Sequence, residues 1–158
     1  MKFFVLASDA PTAKSKESVK VALIVAGIFV VLAVAQLFTF EKFAPLITSY
    51  GIYGGEPVTQ LIGSVIVVLE VAALPFLLRM RLGLLSRFVS MVSGWLAAAS
   101  LFTAQLLLNG YVPESTNSGL LGATVDIPLG WWSVALTAGL GVLIAWASWG
   151  LWPRRTAR

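Results

Sequence analysis

Residues Val58–Arg87 read VTQLIGSVIVVLEVAALPFLLRMRLGLLSR. An almost wholly apolar run leads straight into a connection carrying Arg79, Arg81 and Arg87, and a second apolar run follows. A helix rises 1.5 Å per residue, so ~20 apolar residues span the hydrocarbon of a bilayer. Arginines gathered between two such runs mark the connection that stays in the cytoplasm. Two residues interrupt the first run: Glu70 near its middle and Pro75 five positions later. An acid inside a membrane span costs ~2.5–3.5 kcal/mol on insertion scales, so its presence needs a reason.

The rest of the chain fits the same reading. Of 158 residues, 58% are hydrophobic and 11% charged, whereas soluble domains carry roughly 25% charged residues. Mean hydropathy is +0.90. Besides Val58–Leu78 and Phe88–Leu108, apolar segments cover Val19–Phe40 and Trp131–Leu151. In lipid the backbone must satisfy its own hydrogen bonds, so each is expected to be a helix. The chain thus reads as all-α, a polytopic four-helix bundle over 19–152, with an N-terminal segment 1–18 and a basic tail 153–158. The opening MKFFVLASDAPT begins like a signal peptide, but its apolar run breaks at Ser8-Asp9. The first segment therefore reads as a retained signal anchor.

Charge fixes the expected orientation. Lys2, Lys14, Lys16, Lys20, Arg79, Arg81, Arg87, Arg154, Arg155 and Arg158 fall on one side of a four-pass scheme, and Lys42 alone on the other. Both termini are then cytoplasmic, in a cell inner membrane. The net charge of +4 does not imply nucleic acid, because the basic residues flank apolar segments and form no stripe interleaved with aromatics. The expected partners are the lipid bilayer and other membrane protein subunits.

Function classes narrow next. Cysteine and histidine are absent, which removes thiol chemistry and the commonest metal ligand and proton shuttle. No nucleotide loop, paired catalytic carboxylates or metal cluster is visible, so enzymatic activity and an intrinsic cofactor are not expected. A quinone or lipid could stack on Trp131, Trp132, Trp149 or Trp152, although interfacial anchoring explains these tryptophans better.

Glu70 lies about 12 Å from the cytoplasmic end of its helix at the helical rise. At that depth the other helices offer Ser93, Trp95 and Trp146 as hydrogen-bond donors, and Arg87 as a cation that could reach inward. Pro75 lacks an N–H and frees the Val71 carbonyl, adding polarity beside the acid. Glu70, Pro75, Arg87, Ser93 and Trp95 therefore form the candidate ligand or proton site. A purely structural hydrogen bond between helices fits Glu70 equally well. Gln36 and Gln105, near the outer ends of their helices, could pair or line a vestibule. Ser90, Gly94 and Ala98 recur at intervals of four, a small-residue face expected to pack within the chain.

The outer loops are the candidate partner surface. Phe43, Leu46, Ile47 and Tyr50 have the spacing of a short amphipathic interfacial helix. The loop Asn109–Gly130 carries Glu114 and Asp126 and no basic residue. Loops of that length are often functional or docked, but a tolerated surface loop accounts for it as well.

FTFEKF at the end of the first segment (with Lys42), the acid in VVLEVAALPFLL, and RMRLGLLSRF with Arg87 together resemble the DoxX/MauE-like small four-helix membrane proteins, over roughly residues 20–108. The family usually has glycines after the acid, where Ala72, Ala73 and Pro75 stand here, and its thiol-oxidising relatives carry cysteines that this chain lacks. The resemblance implies a non-catalytic subunit or assembly factor of a redox or respiratory membrane complex. The alternative is a small oligomeric transporter or proton-coupled carrier using Glu70.

Overall fold

In a computed structural model of the chain, residues 9–42, 55–111, 117–122, 125 and 127–152 are described. Phe43, Leu46, Ile47, Glu114, Asp126 and the tail 153–158 lie outside the described residues. Four helices dominate: α1 (Lys16–Phe38), α2 (Gly55–Leu77), α3 (Leu84–Tyr111) and α4 (Trp131–Leu151). All four are long and apolar enough to cross a membrane. Helix α4 has the bounds read from hydropathy, whereas α1, α2 and α3 start three or four residues earlier and α3 ends three later. Hydropathy fades where polar residues begin, but caps decide where helices begin. Ser15 is extended and its Oγ accepts the Ser18 N–H at 3.1 Å, which starts α1 within a polar sequence.

Helix α1 packs on α2 and α4, and α3 packs on α2 and α4, so the four close into a ring in sequence order. Each helix turns a stripe at spacings of three and four inward. On α1 it runs Ala22, Val25, Ala26, Phe29, Leu32, Ala33 and Gln36; on α2 it runs Thr59, Gly63, Val67, Glu70, Ala73 and Phe76. These inner stripes hold most of the small and polar residues. Large aliphatics such as Leu23, Val31, Val68, Leu96 and Val142 point outward. A water-soluble protein would not leave such a continuous apolar exterior, whereas lipid solvates it.

A central layer shows how close the helices come. A Cβ placed on Gly94 of α3 would meet Ala73 of α2 at 3.3 Å and Ile144 of α4 and Phe29 of α1 at 4.0 Å. All four helices thus meet at one small residue, and Ser90–Gly94–Ala98 is a packing face within the chain, as expected. At one end of the ring, a Cβ on Gly150 of α4 would collide with the Ser18 side chain of α1. Only glycine permits that crossing.

The same end carries the basic connection. Helix α2 ends with the Met80 N–H donating to the Pro75 carbonyl at 2.9 Å and the Arg79 N–H to Phe76 at 3.1 Å. This is a Schellman closure, and it puts Arg79 at φ 56°, a conformation usually left to glycine. The segment preceding α1 straps across the end. Arg79 Nη2 donates to the Pro11 carbonyl at 3.1 Å and Arg87 Nη2 to that of Asp9 at 3.2 Å. The Lys14 N–H donates to Gly150 at 2.8 Å, and Asp9 pairs with Arg81. The N-terminal segment, the arginine connection and the end of α4 therefore share one face of the molecule.

Candidate functional site

Glu70 occupies the inner stripe of α2 and is fully buried. Its environment differs from the sequence-based expectation. Ser93 Oγ donates to Val89 of its own helix at 3.0 Å. The Trp95 indole donates to Ser148 Oγ of α4 at 3.1 Å, and Trp146 is exposed. Arg87 is held beneath the N-terminal strap at the basic end. None of these reaches the acid, so Glu70, Arg87, Ser93 and Trp95 do not form one site. Equal depth on neighbouring helices does not bring side chains together unless they also share the inward face.

Pro75 separates from Glu70 for a related reason. The break that the proline opens in α2 is repaired from α3. Ser90 Oγ donates to the Ala72 carbonyl at 2.6 Å and accepts the Phe76 N–H at 3.0 Å. One hydroxyl thus inserts between an i, i+4 pair that a straight helix would bond directly. Pro75 and Ser90 form a structural splice between α2 and α3. In the sequence Ser90 signals only small-residue packing, because a serine four residues from a glycine does not reveal a bond to a broken neighbour.

Instead, Glu70 lies about one turn from Ala73 and the Gly94 layer, inside the ring. The Gln36 side chain of α1 lies within electrostatic reach of the carboxyl, although neither carboxyl oxygen is in hydrogen-bond geometry with any described group. Gln36 Nε2 donates to the Leu120 carbonyl at 3.3 Å, and Gln105 Nε2 of α3 to that of Ser118 at 2.8 Å. Gln36 and Gln105 therefore grip the same short segment.

That segment, Asn117–Gly122, is a compact turn folded against the helix ends. The Gly119 N–H donates to Asn117 Oδ1 at 2.9 Å, the Gly122 N–H to the Gly119 carbonyl at 3.0 Å, and the Ser118 N–H to Ile127 at 2.7 Å. Gly122 has φ +60°, and a Cβ there would lie 2.6 Å from Thr39 Oγ1 and 3.0 Å from the Ala35 carbonyl. Glycine lets the turn press onto the end of α1. Part of the loop expected to offer a partner surface is thus turned inward.

Gln36, Glu70, Gln105 and Ser118 are each no more than 2% exposed. Every one retains an unbonded polar oxygen. Among the described residues no group of three or more His, Cys, Asp or Glu could hold a metal. Gln36, Glu70, Gln105 and Ser118 comprise one carboxyl on α2, and two carboxamide oxygens and a hydroxyl at and beside the Asn117–Gly122 turn. Compared with protein-family models, with curated proteins and with solved structures, the chain matches none.

Proposed function

We propose that this chain is a non-catalytic membrane subunit or assembly factor, embedded as a four-helix bundle in a cell inner membrane with both termini cytoplasmic. Its partner is a transmembrane helix of another subunit, in a redox or respiratory complex of the kind that DoxX-like proteins serve. The observation that carries the subunit reading is a groove along the outside of α1 and α4. Ile24, Ile28, Leu136 and Leu143 line it, and Gly27 and Gly139 floor it. A Cβ on either glycine would meet nothing within 4 Å. Glycines that no neighbour within the chain requires, set in an apolar groove, let a foreign helix approach closely. The basic end supports the orientation, because the arginine connection and the N-terminal strap lie together there.

Native purification of the full chain from membranes, with identification of what accompanies it, tests this reading. A stoichiometric partner that is lost in Gly27→Leu or Gly139→Leu, while the chain still inserts, is the expected result. Stoichiometry and composition that both variants leave unchanged would defeat it. The orphaned carboxyl of Glu70 favours a second reading, an oligomeric carrier, and a homo-oligomer alone would point that way. Orientation is checked by cysteine labelling in intact cells. Ser86→Cys should resist a membrane-impermeant reagent and Val125→Cys should react, both positions being exposed.

A further inference from the structure

The basic end holds more positive charge than the described residues neutralise there. Lys14, Lys16, Lys20, Arg79, Arg81 and Arg87 gather at it against Asp9 and Glu17. Lys20 pairs with Glu17 and Arg81 with Asp9. Orientation in a membrane accounts for a surplus of this sign, but not for its geometry. Arg79 has no acid beside it among the described residues. Its Nη2 meets the neutral Pro11 carbonyl, and its Nε is buried without a hydrogen-bond partner. A guanidinium is a planar fork whose donors suit two oxygens of one anion. Here the fork meets a single uncharged oxygen, and a buried donor left unmade is costly.

The strap is not what positions Arg79. The closure of α2 after Pro75 sets its backbone at φ 56°, with its N–H on the Phe76 carbonyl at 3.1 Å. Arg87 lines the same cleft as Arg79, together with Pro11, Phe76 and Leu151. Across that cleft the strap presents the Asp9 carbonyl to Arg87, the Pro11 carbonyl to Arg79 and the Asp9 carboxylate to Arg81. A short run of chain thus sets three oxygens against three guanidinium groups. The space left beneath it is about 10 Å3, the size of a single water. Aromatic side chains mark the depth. Exposed Trp149 lies at this end with Lys14 Nζ 4.8 Å over its ring, and Trp152 meets Phe88 edge-on. Tryptophans gather at the level of lipid headgroups, so the arginines lie where lipid phosphates do.

We propose that Arg79 and Arg87, with Arg81 at the mouth, form a binding site for a phosphate group, and that the strap of residues 9–14 occupies this site when no phosphate is bound. A phosphate supplies the negative charge that a carbonyl lacks, and two of its oxygens accept from Nη2 and Nε of Arg79 together. Because the cleft has room for no more than a water, the phosphate replaces the strap rather than joining it. The exchange breaks the exposed Arg81–Asp9 pair, which contributes little, and gives Arg79 and Arg87 charged oxygens in place of the Pro11 and Asp9 carbonyls. The site stands independently of the subunit reading, since no partner chain contributes to it.

The test is native mass spectrometry of the purified full chain, released from neutral detergent after titration with short-chain phosphatidylglycerol or with inorganic phosphate. Retention of the lipid alone assigns the site to a headgroup, and retention of phosphate alone to the free ion. Retention of both, each displacing the other, assigns a site that takes either. Arg79→Gly should weaken binding about tenfold, one lost charge-assisted contact, and glycine suits the backbone there. Lys16→Gln removes the same charge from the same end and should leave affinity within about twofold. Asp9→Asn should tighten binding about threefold by loosening the strap. Glu17→Gln, an equal change in charge on α1, should not. Absence of any lipid or phosphate adduct would overturn the site, as would equal losses in Arg79→Gly and Lys16→Gln. An Asp9→Asn chain that binds no more tightly than Glu17→Gln also overturns it, and that comparison decides the matter should Arg79→Gly fail to fold.

Discussion

The basic end and the interior of the helix ring handle charge in opposite ways. At the basic end, Arg79 and Arg87 are drawn under the N-terminal strap, and each donates through Nη2 to a carbonyl, of Pro11 and Asp9, although Arg79 Nε is buried without a partner. Arg81 pairs with Asp9 in the open. Inside the ring, Glu70 is more deeply buried, and neither of its carboxyl oxygens has a hydrogen-bond partner. Long side chains near an interface can find compensation among backbone groups and water. A short carboxyl inside the ring takes only what its neighbours were built to give. The contrast teaches that a long side chain near an interface keeps part of its hydrogen bonding when buried, whereas a short carboxyl inside the ring loses all of it.

The largest effect should come from breaking the basic end. Gly150→Leu has to displace the Ser18 side chain where α1 crosses α4, and overpacking of this kind costs about 3 kcal/mol. Unfolding in mixed micelles should show that loss, together with faster proteolysis between Asp9 and Ser15 as the strap lifts. Unchanged stability would mean that the crossing is not as close as described.

Next comes the splice. Ser90→Ala leaves the Ala72 carbonyl and the Phe76 N–H unpaired in an apolar interior, a cost of about 2 kcal/mol. Adding Pro75→Ala should recover part of it, because α2 can then close its own ladder. A double-mutant cycle with no coupling between the two positions would disprove the repair.

Glu70→Leu should do much less. Replacing an uncompensated buried carboxyl by an apolar side chain of similar volume is expected to leave stability within about 1 kcal/mol, or to raise it. A loss as large as that of Ser90→Ala would show that Glu70 is hydrogen-bonded after all, and would remove the contrast between the basic end and the interior. The smallest change belongs to Arg81→Ala. Its partner Asp9 is three-quarters exposed, and such pairs contribute only a few tenths of a kcal/mol to about 1 kcal/mol, less in high salt.

Some of this was legible in the residues and some was not. The acid in the second apolar run was legible as a residue that needs a reason, but the stripe Thr59, Gly63, Val67, Glu70 and Ala73 that turns it inward emerged only with the fold. Ser90 and Gly94 were legible as a packing face, and Gln36 and Gln105 as outer-end polar residues. Their joint grip on Asn117–Gly122 was not, because a turn that folds back between helices has no periodicity to announce it. The pairing of Glu70 with Ser93, Trp95 or Arg87 failed because depth along a helix was counted without its angular position.

The sequence by itself determined four apolar helices, their order and the side on which the basic residues gather, because hydrophobic length and charge act locally along the chain. Only the tertiary structure decided which polar groups meet. It gave Ser90 to the break in α2, the strap to the arginines and the Asn117–Gly122 turn to Gln36 and Gln105. The physical reason is that a hydrogen bond requires both partners within about 3 Å and in line. That condition depends on how each helix is rotated against its neighbours, and close packing at Gly94, Gly122 and Gly150 sets that rotation.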